Sequence, residues 1–161
     1  MISWDRCGDS FIGVFSPRQI RWLRKHLADY RNRINSGLSG FNGDPVLAAV
    51  FANCTEDDLR LRLRRARRSV TILLDALPAR GGVVEVCGDM NRMTWVWTLQ
   101  ELRVAVAARL AGLSDTSEST VCVDASVKLQ TWLSCIVESF MNAGNLLLDP
   151  NGPNNVSRAR K

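Results

Sequence analysis

The stretch TEDDLRLRLRRARRSVTILLDALP, residues 55–78, decides the fold class. Leu59, Leu63, Ala66, Val70, Leu73 and Leu77 recur every three or four residues, which gathers them on one side of an α-helix and on no single side of a strand. Thr55 can cap the first turn, and Glu56, Asp57 and Asp58 set three carboxylates against the positive end of the helix dipole. Pro78 stops the run. A helix of this length with one apolar face needs neighbours to cover that face, so the sequence on either side is read for further helices.

Upstream, Ser16-Pro17-Arg18-Gln19 has the form of a capping box with proline in the first turn. The stripe Ile20, Leu23, Leu27, Tyr30 and Ile34 then carries a second helix, with most of the arginines elsewhere on its surface. Asn35 to Gly43, rich in Gly, Ser and Asn, reads as a loop. Asp44-Pro45 starts a short helix through Phe51. Downstream, Trp95, Leu99, Leu102 and Val106 share a face of a helix from about Asn91 to Leu110 that Gly112 ends. Ser114 to Thr120 is a polar linker. Leu129, Trp132, Leu133, Ile136, Phe140 and Leu147 mark a last helix from near Asp124 to Asp149-Pro150. The first fifteen residues alternate apolar and polar around Cys7-Gly8-Asp9 and read as a short hairpin or a single strand, with residues 11–15 suited to a pleated surface; residues 83–87 are β-prone and short, and could pair with it. The expectation is a mainly α fold: four long helices and one short helix in a bundle, with a minor β element near the N-terminus. A single domain is expected over residues 1–149, followed by a flexible polar tail at 150–161.

The chain has 161 residues, 46% of them hydrophobic, enough for one core. Five cysteines, at 7, 54, 87, 122 and 135, are odd in number and irregular in spacing, which suits reduced thiols better than disulfides or zinc. Asp5 and Arg6 interrupt the segment a signal peptide would keep apolar, and no run approaches the length of a membrane span. A cytoplasmic protein without membrane attachment is expected. The net charge of +5 is polarised: residues 1–43 hold seven basic and three acidic groups, and residues 114–149 hold one basic and five acidic. This favours oriented encounter with an acidic partner without specifying one.

Trp95-x3-Leu99-x2-Leu102-Arg103-x-Ala105-x3-Arg109-Leu110, followed by Trp132-Leu133-x4-Glu138-Ser139-x3-Ala143, resembles an actinobacterial family, the domain-of-unknown-function family numbered twenty-seventeen. Asp44-Pro45, Phe51, Thr55 and Asp58-Leu59-Arg60 are similar to its middle region. The resemblance implies a helical cytoplasmic protein and no reaction. It also implies a gene near that of the Clp protease adaptor ClpS, which is an association and not a mechanism. The chain departs from the family pattern in its dense arginine run at 60–68 and in its several cysteines.

The sequence offers little for catalysis. His26 is the single histidine, the short glycine stretches form no phosphate loop, and the adjacent Asp57 and Asp58 point apart on a helix. No catalytic residue, metal site or cofactor is assigned, and enzyme is the least favoured class. Three polar or aromatic groups stand out instead. Arg103, Arg109 and Glu138 lie on otherwise apolar helices, where an ion pair of arginine with Glu138 or Glu101 would fix the helix crossing, or the groups would face an interface. Trp22 and Trp97 fall off the core stripes of their helices and are candidate interface aromatics, tryptophan being enriched at binding hot spots. Trp95 and Trp97 stand about 200° apart on a helix, so only one can share the core face. Six arginines between 60 and 68 form a charged face, of which Arg60, Arg64, Arg67 and Arg68 could contact phosphates. The favoured expectation is a non-enzymatic interaction or regulatory protein that self-associates. The alternative is a nucleic-acid-binding regulator that uses the arginine-rich helix.

Overall fold

The computed structural model describes residues 4–40, 43–113 and 120–145, and within them the side chains of all but 113, 120–126, 144 and 145. The chain order is β1 (Trp4–Cys7), β2 (Ser10–Phe15), α1 (Pro17–Ser39), α2 (Pro45–Val50), α3 (Glu56–Ala76), β3 (Gly82–Cys87), α4 (Asp89–Leu113) and α5 (Thr120–Asn145). The protein is mostly helical, with one small antiparallel sheet in the order β1-β2-β3. No helix among the described residues is long and apolar enough to cross a membrane.

The helix starts form as their residues dictate. Ser16 Oγ accepts from the Gln19 amide at 3.2 Å, while the Gln19 side chain accepts from the Ser16 amide at 2.7 Å, so two otherwise orphaned donors are satisfied. Asp44 accepts from the Val46 amide at the start of α2, and Thr55 from the Asp58 amide at the start of α3. Two boundaries differ from expectation. First, α1 does not stop at Asn35 but continues through Ser39. Its extra turn is held from outside: a Cβ on Gly37 would stand 2.7 Å from Leu47 Cδ1, so the missing side chain lets α2 close against α1. Second, α4 runs through Gly112 to Leu113. The last helix begins at Thr120, ahead of Asp124. Residues 114–119 of the expected linker, the end at Asp149-Pro150 and the tail at 150–161 lie outside the described residues.

Of the two readings of the first fifteen residues, the hairpin is the one that forms, and residues 82–87 add a third strand to it. Trp4–Cys7 pairs with β2 through the two-residue turn Gly8-Asp9, and β3 pairs with the other edge of β2, with Phe11 opposite Val86 and Gly13 opposite Val84. The alternation of each strand sends Trp4, Phe11, Phe15, Val84 and Val86 inward. There the Trp4 ring meets Phe140 of α5 edge-on at 3.8 Å between centroids and Trp95 of α4 at 5.7 Å, while Phe11 reaches Phe140 at 5.8 Å. Gly13 makes room for this ring, since a Cβ there would stand 2.9 Å from Trp4 Cε3. The Trp4 amide donates to Ser139 Oγ at 2.9 Å, which ties β1 to α5.

The helices pack around α4. It touches α5, α2, α3, α1 and β3, while α1 and α3 cover one another. Burial on several sides explains why α4 carries so little polar surface: Trp95, Val96, Leu99, Leu102, Ala105 and Val106 are all buried. Thr98, buried among them, spends its hydroxyl on the Thr94 carbonyl at 2.7 Å.

Phe140 is fully buried where the sheet, α4 and α5 meet. Phe140→Ala should lower the free energy of unfolding by about 3–5 kcal/mol, read from urea unfolding curves. A loss below about 1 kcal/mol would show that this junction collapses without cost.

Candidate interaction surfaces

Arg103, Arg109 and Glu138 do not meet. Arg109 reaches across to α1, where its Nη1 stands 3.6 Å from Asp29 Oδ2 with both side chains well exposed. Arg103 donates to Ser134 Oγ at 3.2 Å across the seam between α4 and α5. Glu138 is exposed on α5 and has no ion pair among the described residues. Neither Glu138 nor Glu101 therefore pairs with an arginine as the two-turn spacing from Leu102 suggested. Arg109 keeps nearly the angular position of buried Leu102, but it lies about 10 Å further along α4, near the helix end, where its guanidinium reaches Asp29 of α1.

Arg109 and Asp29 belong to a polar junction of α1, α2 and α4. Arg33 pairs with Asp44 at 2.9 Å, so the residue that caps α2 also ties it to α1. Partial burial pushes the Asp44 carboxyl up, but the Arg33 guanidinium and the amides of Val46 and Leu47 outweigh it and hold the group below its ordinary value. His26 lies at the edge of the same junction, where burial and then the Arg109 charge lower its pKa. A hollow of about 410 Å³ is lined by Asp29, Asn32, Arg33, Ser36, Asp44 and Arg109. Each arginine in it faces a carboxylate, and the two pairs join α1 to the start of α2 and to the end of α4. One turn deeper, Tyr30 donates to Glu101 Oε2 at 3.1 Å. Burial raises the pKa of Glu101 against the opposing pull of the Tyr30 hydrogen bond and the Arg62 charge. Burial and the adjacent Glu101 likewise raise that of Tyr30. Among the described residues no group of three or more His, Cys, Asp or Glu is arranged to hold a metal.

The tryptophans part as their angles require. Trp95 is buried, whereas Trp97 is 56% exposed. Trp22 is half-buried, packed against the core rim with the Arg18 guanidinium 4.7 Å above its ring. Met90, 79% exposed, and Val104 share the Trp97 side of α4, each seven residues from it, so the three form one ridge. On α5, Val127 and Met141 are exposed fourteen residues apart, with Ser134 midway. The Arg103–Ser134 bond sets these two rows side by side on neighbouring helices.

The arginines of α3 form a separate surface. Arg60, Arg62, Arg64, Arg65, Arg67 and Arg68 are all exposed, and Leu61 and Ile72 emerge among them. Leu59, expected on the buried stripe, is only partly covered. Sequence periodicity does not single out Met90, Val104, Leu61 or Ile72, because each is apolar on a helix and differs from a core residue only in which neighbour fails to cover it. The Arg109–Asp29 and Tyr30–Glu101 contacts join residues about 70–80 positions apart, a separation at which no spacing rule operates.

A mostly helical protein with a small three-stranded antiparallel sheet near its N-terminus is the class defined here. The chain belongs to the family described as Domain of unknown function (DUF2017), whose family model matches residues 38–144. Comparison with curated proteins and with solved structures finds no match.

Two predictions follow the charges. Because the folded chain holds the Glu101 proton more tightly than the unfolded chain, the stability this group confers is full at low pH and is lost as pH rises through its raised pKa. Glu101→Gln should therefore gain stability relative to wild type between about pH 4 and about pH 7, measured as the difference in urea midpoints; a constant difference would contradict the burial effect. Arg109→Met should cost less than about 1 kcal/mol, as befits an exposed pair, and should raise the His26 pKa followed by NMR titration. A larger loss would mean that the arginine is held inside.

Proposed function

We propose that this protein acts by binding and not by catalysis, and that its first partner is a second copy of itself, joined along the outer ridge of α4. The observation that carries this reading is Trp97, 56% exposed on the helix that every other helix packs against. An indole held on a rigid helix has little conformational entropy to lose on binding, and much apolar surface to gain from being covered.

The spacing of the ridge supports a self-complementary contact. Met90, Trp97 and Val104 span about 21 Å of helix at intervals of seven residues, the repeat along which two helices share a seam. A two-fold axis through such a ridge lets each Trp97 fill the space beside the partner's ridge, so one patch serves both sides of the interface. Val127 and Met141 on α5 widen the patch beyond a single helix. The four described cysteines, all unpaired, support a reducing, cytoplasmic setting.

Sedimentation velocity tests the reading. At tens of micromolar the wild-type chain should sediment as a dimer, and Trp97→Glu should sediment as a monomer with an unchanged circular-dichroism spectrum, since Trp97 contributes little to the core. A wild-type monomer throughout the range of roughly 1 to 100 micromolar, where weak specific contacts form, would refute it.

A further inference from the structure

The α3 surface has charges that nothing in the fold neutralises. Arg33, Arg92 and Arg109 each stand within ion-pair distance of a carboxylate. Arg60, Arg64, Arg65, Arg67 and Arg68 have no such partner among the described residues, and α3 contains no acidic residue between Asp58 and Asp75. The charges are also ordered. Arg60, Arg64 and Arg67 follow one another along a flank, while Leu61, Arg65, Arg68 and Ile72 form the outermost ridge beside it. Leu61 is 63% and Ile72 42% exposed, and with Arg64, Arg65, Arg67, Arg68 and Thr71 they line one shallow hollow. The opposite side of the helix is fixed in the core by Leu63, Ala66, Val70 and Leu73, so the arginines are presented from a rigid rod.

The geometry points to this face as a binding surface for duplex DNA, engaged through the phosphate backbone without sequence preference. Arg60, Arg64 and Arg67 advance about 6 and 4.5 Å along the helix axis, each step more than the about 3.4 Å of duplex axis per phosphate on one strand, so the three charges are spread widely enough to engage separate phosphates. Arginine forks suit phosphate oxygens, and the six basic residues of this run are arginine without a lysine. The DNA major groove is wide enough to admit an α-helix, so the arginines of α3 can reach the phosphates that border it. Other polyanions fit less well. Single strands are gripped by stacking bases on aromatic rings, and α3 has none. Duplex RNA narrows its major groove against a helix. A lipid surface holds a helix by its buried apolar area, and the apolar face of α3 is already spent in the core. The acidic residues at each end, Glu56 to Asp58 and Asp75, confine the footprint to the middle turns. The inference rests on a different helix from the Trp97 ridge and stands or falls separately.

Fluorescence anisotropy of a labelled duplex of about 20 base pairs, with the full chain at low and moderate salt, is the test. With about four phosphates neutralised, affinity should fall on the order of a hundredfold between about 50 and 200 mM NaCl. The triple variant Arg64→Gln, Arg67→Gln, Arg68→Gln should bind at least about tenfold more weakly at the lower salt with an unchanged helical spectrum. Arg21→Gln, Lys25→Gln, Arg80→Gln, which removes the same charge from exposed residues outside α3, should stay within about threefold of wild type. Parallel titrations use the matching single strand and vesicles containing phosphatidylserine. Absent or salt-insensitive duplex binding, an equal loss in both triple variants, or tighter binding to the single strand or the vesicles would each overturn the assignment.

Discussion

The Trp4 indole, wedged against Phe15, Trp95 and Phe140, is the contact on which the arrangement of layers depends. A small three-stranded sheet with one apolar face gains stability by laying that face on helices. The helices have the complementary need, because α4 and α5 meet the sheet with their largest rings. Edge-on packing of these rings adds directional preference to the area they bury. Gly13 is the concession that makes the fit possible: the strand beside Trp4 gives up a side chain so that the indole can lie flat against it.

From that junction the positions of the remaining surfaces follow. With the sheet, α5, α1, α2 and α3 gathered on its inner side, α4 keeps an exposed strip along which Met90, Trp97 and Val104 lie. The Trp97 indole thus leaves a large apolar surface in water. The opposite situation holds at α3, which lies at the margin of the molecule, covered chiefly by α1 and touched by α4. It can therefore display a charged arc without burying any charge, which is why six arginines are tolerated in nine residues.

Much of the helical framework was legible because capping residues and apolar periodicity are local. Ser16, Asp44 and Thr55 mark helix starts whatever surrounds them, and the divergence of Trp95 from Trp97 is a matter of angle alone. What escaped depends on tertiary contact. The last turn of α1 reads as loop from its Gly, Ser and Asn content, and only Leu47 pressing on Gly37 explains why it stays helical. The hairpin around Gly8-Asp9 is legible from local alternation, but which of its faces is buried depends on Trp4 meeting α4 and α5. The two-turn spacing from Leu102 points Arg109 to a carboxylate on its own or the following helix, whereas Asp29 lies eighty positions earlier on α1. The exposed ridge on α4 was half legible: Trp97 by its angle, Met90 and Val104 only once the cover of the other faces was known.

The bond from the Trp4 amide to Ser139 also has a temporal meaning, since its two ends are 135 positions apart. During synthesis at about 5–20 residues per second, the strand that begins the sheet waits on the order of ten seconds for the helix against which it rests. For that interval Trp4, Phe11, Phe15 and Trp95 have no Phe140 to close over them, and the nascent chain shows an aromatic surface that the finished protein hides. Helices α1 to α3, whose mutual contacts are closer in sequence, can form earlier at smaller loop-closure cost. The contacts that tie β1 to the helices are thus the last that can close, because Ser139 and Phe140 are among the last of the described residues to be made.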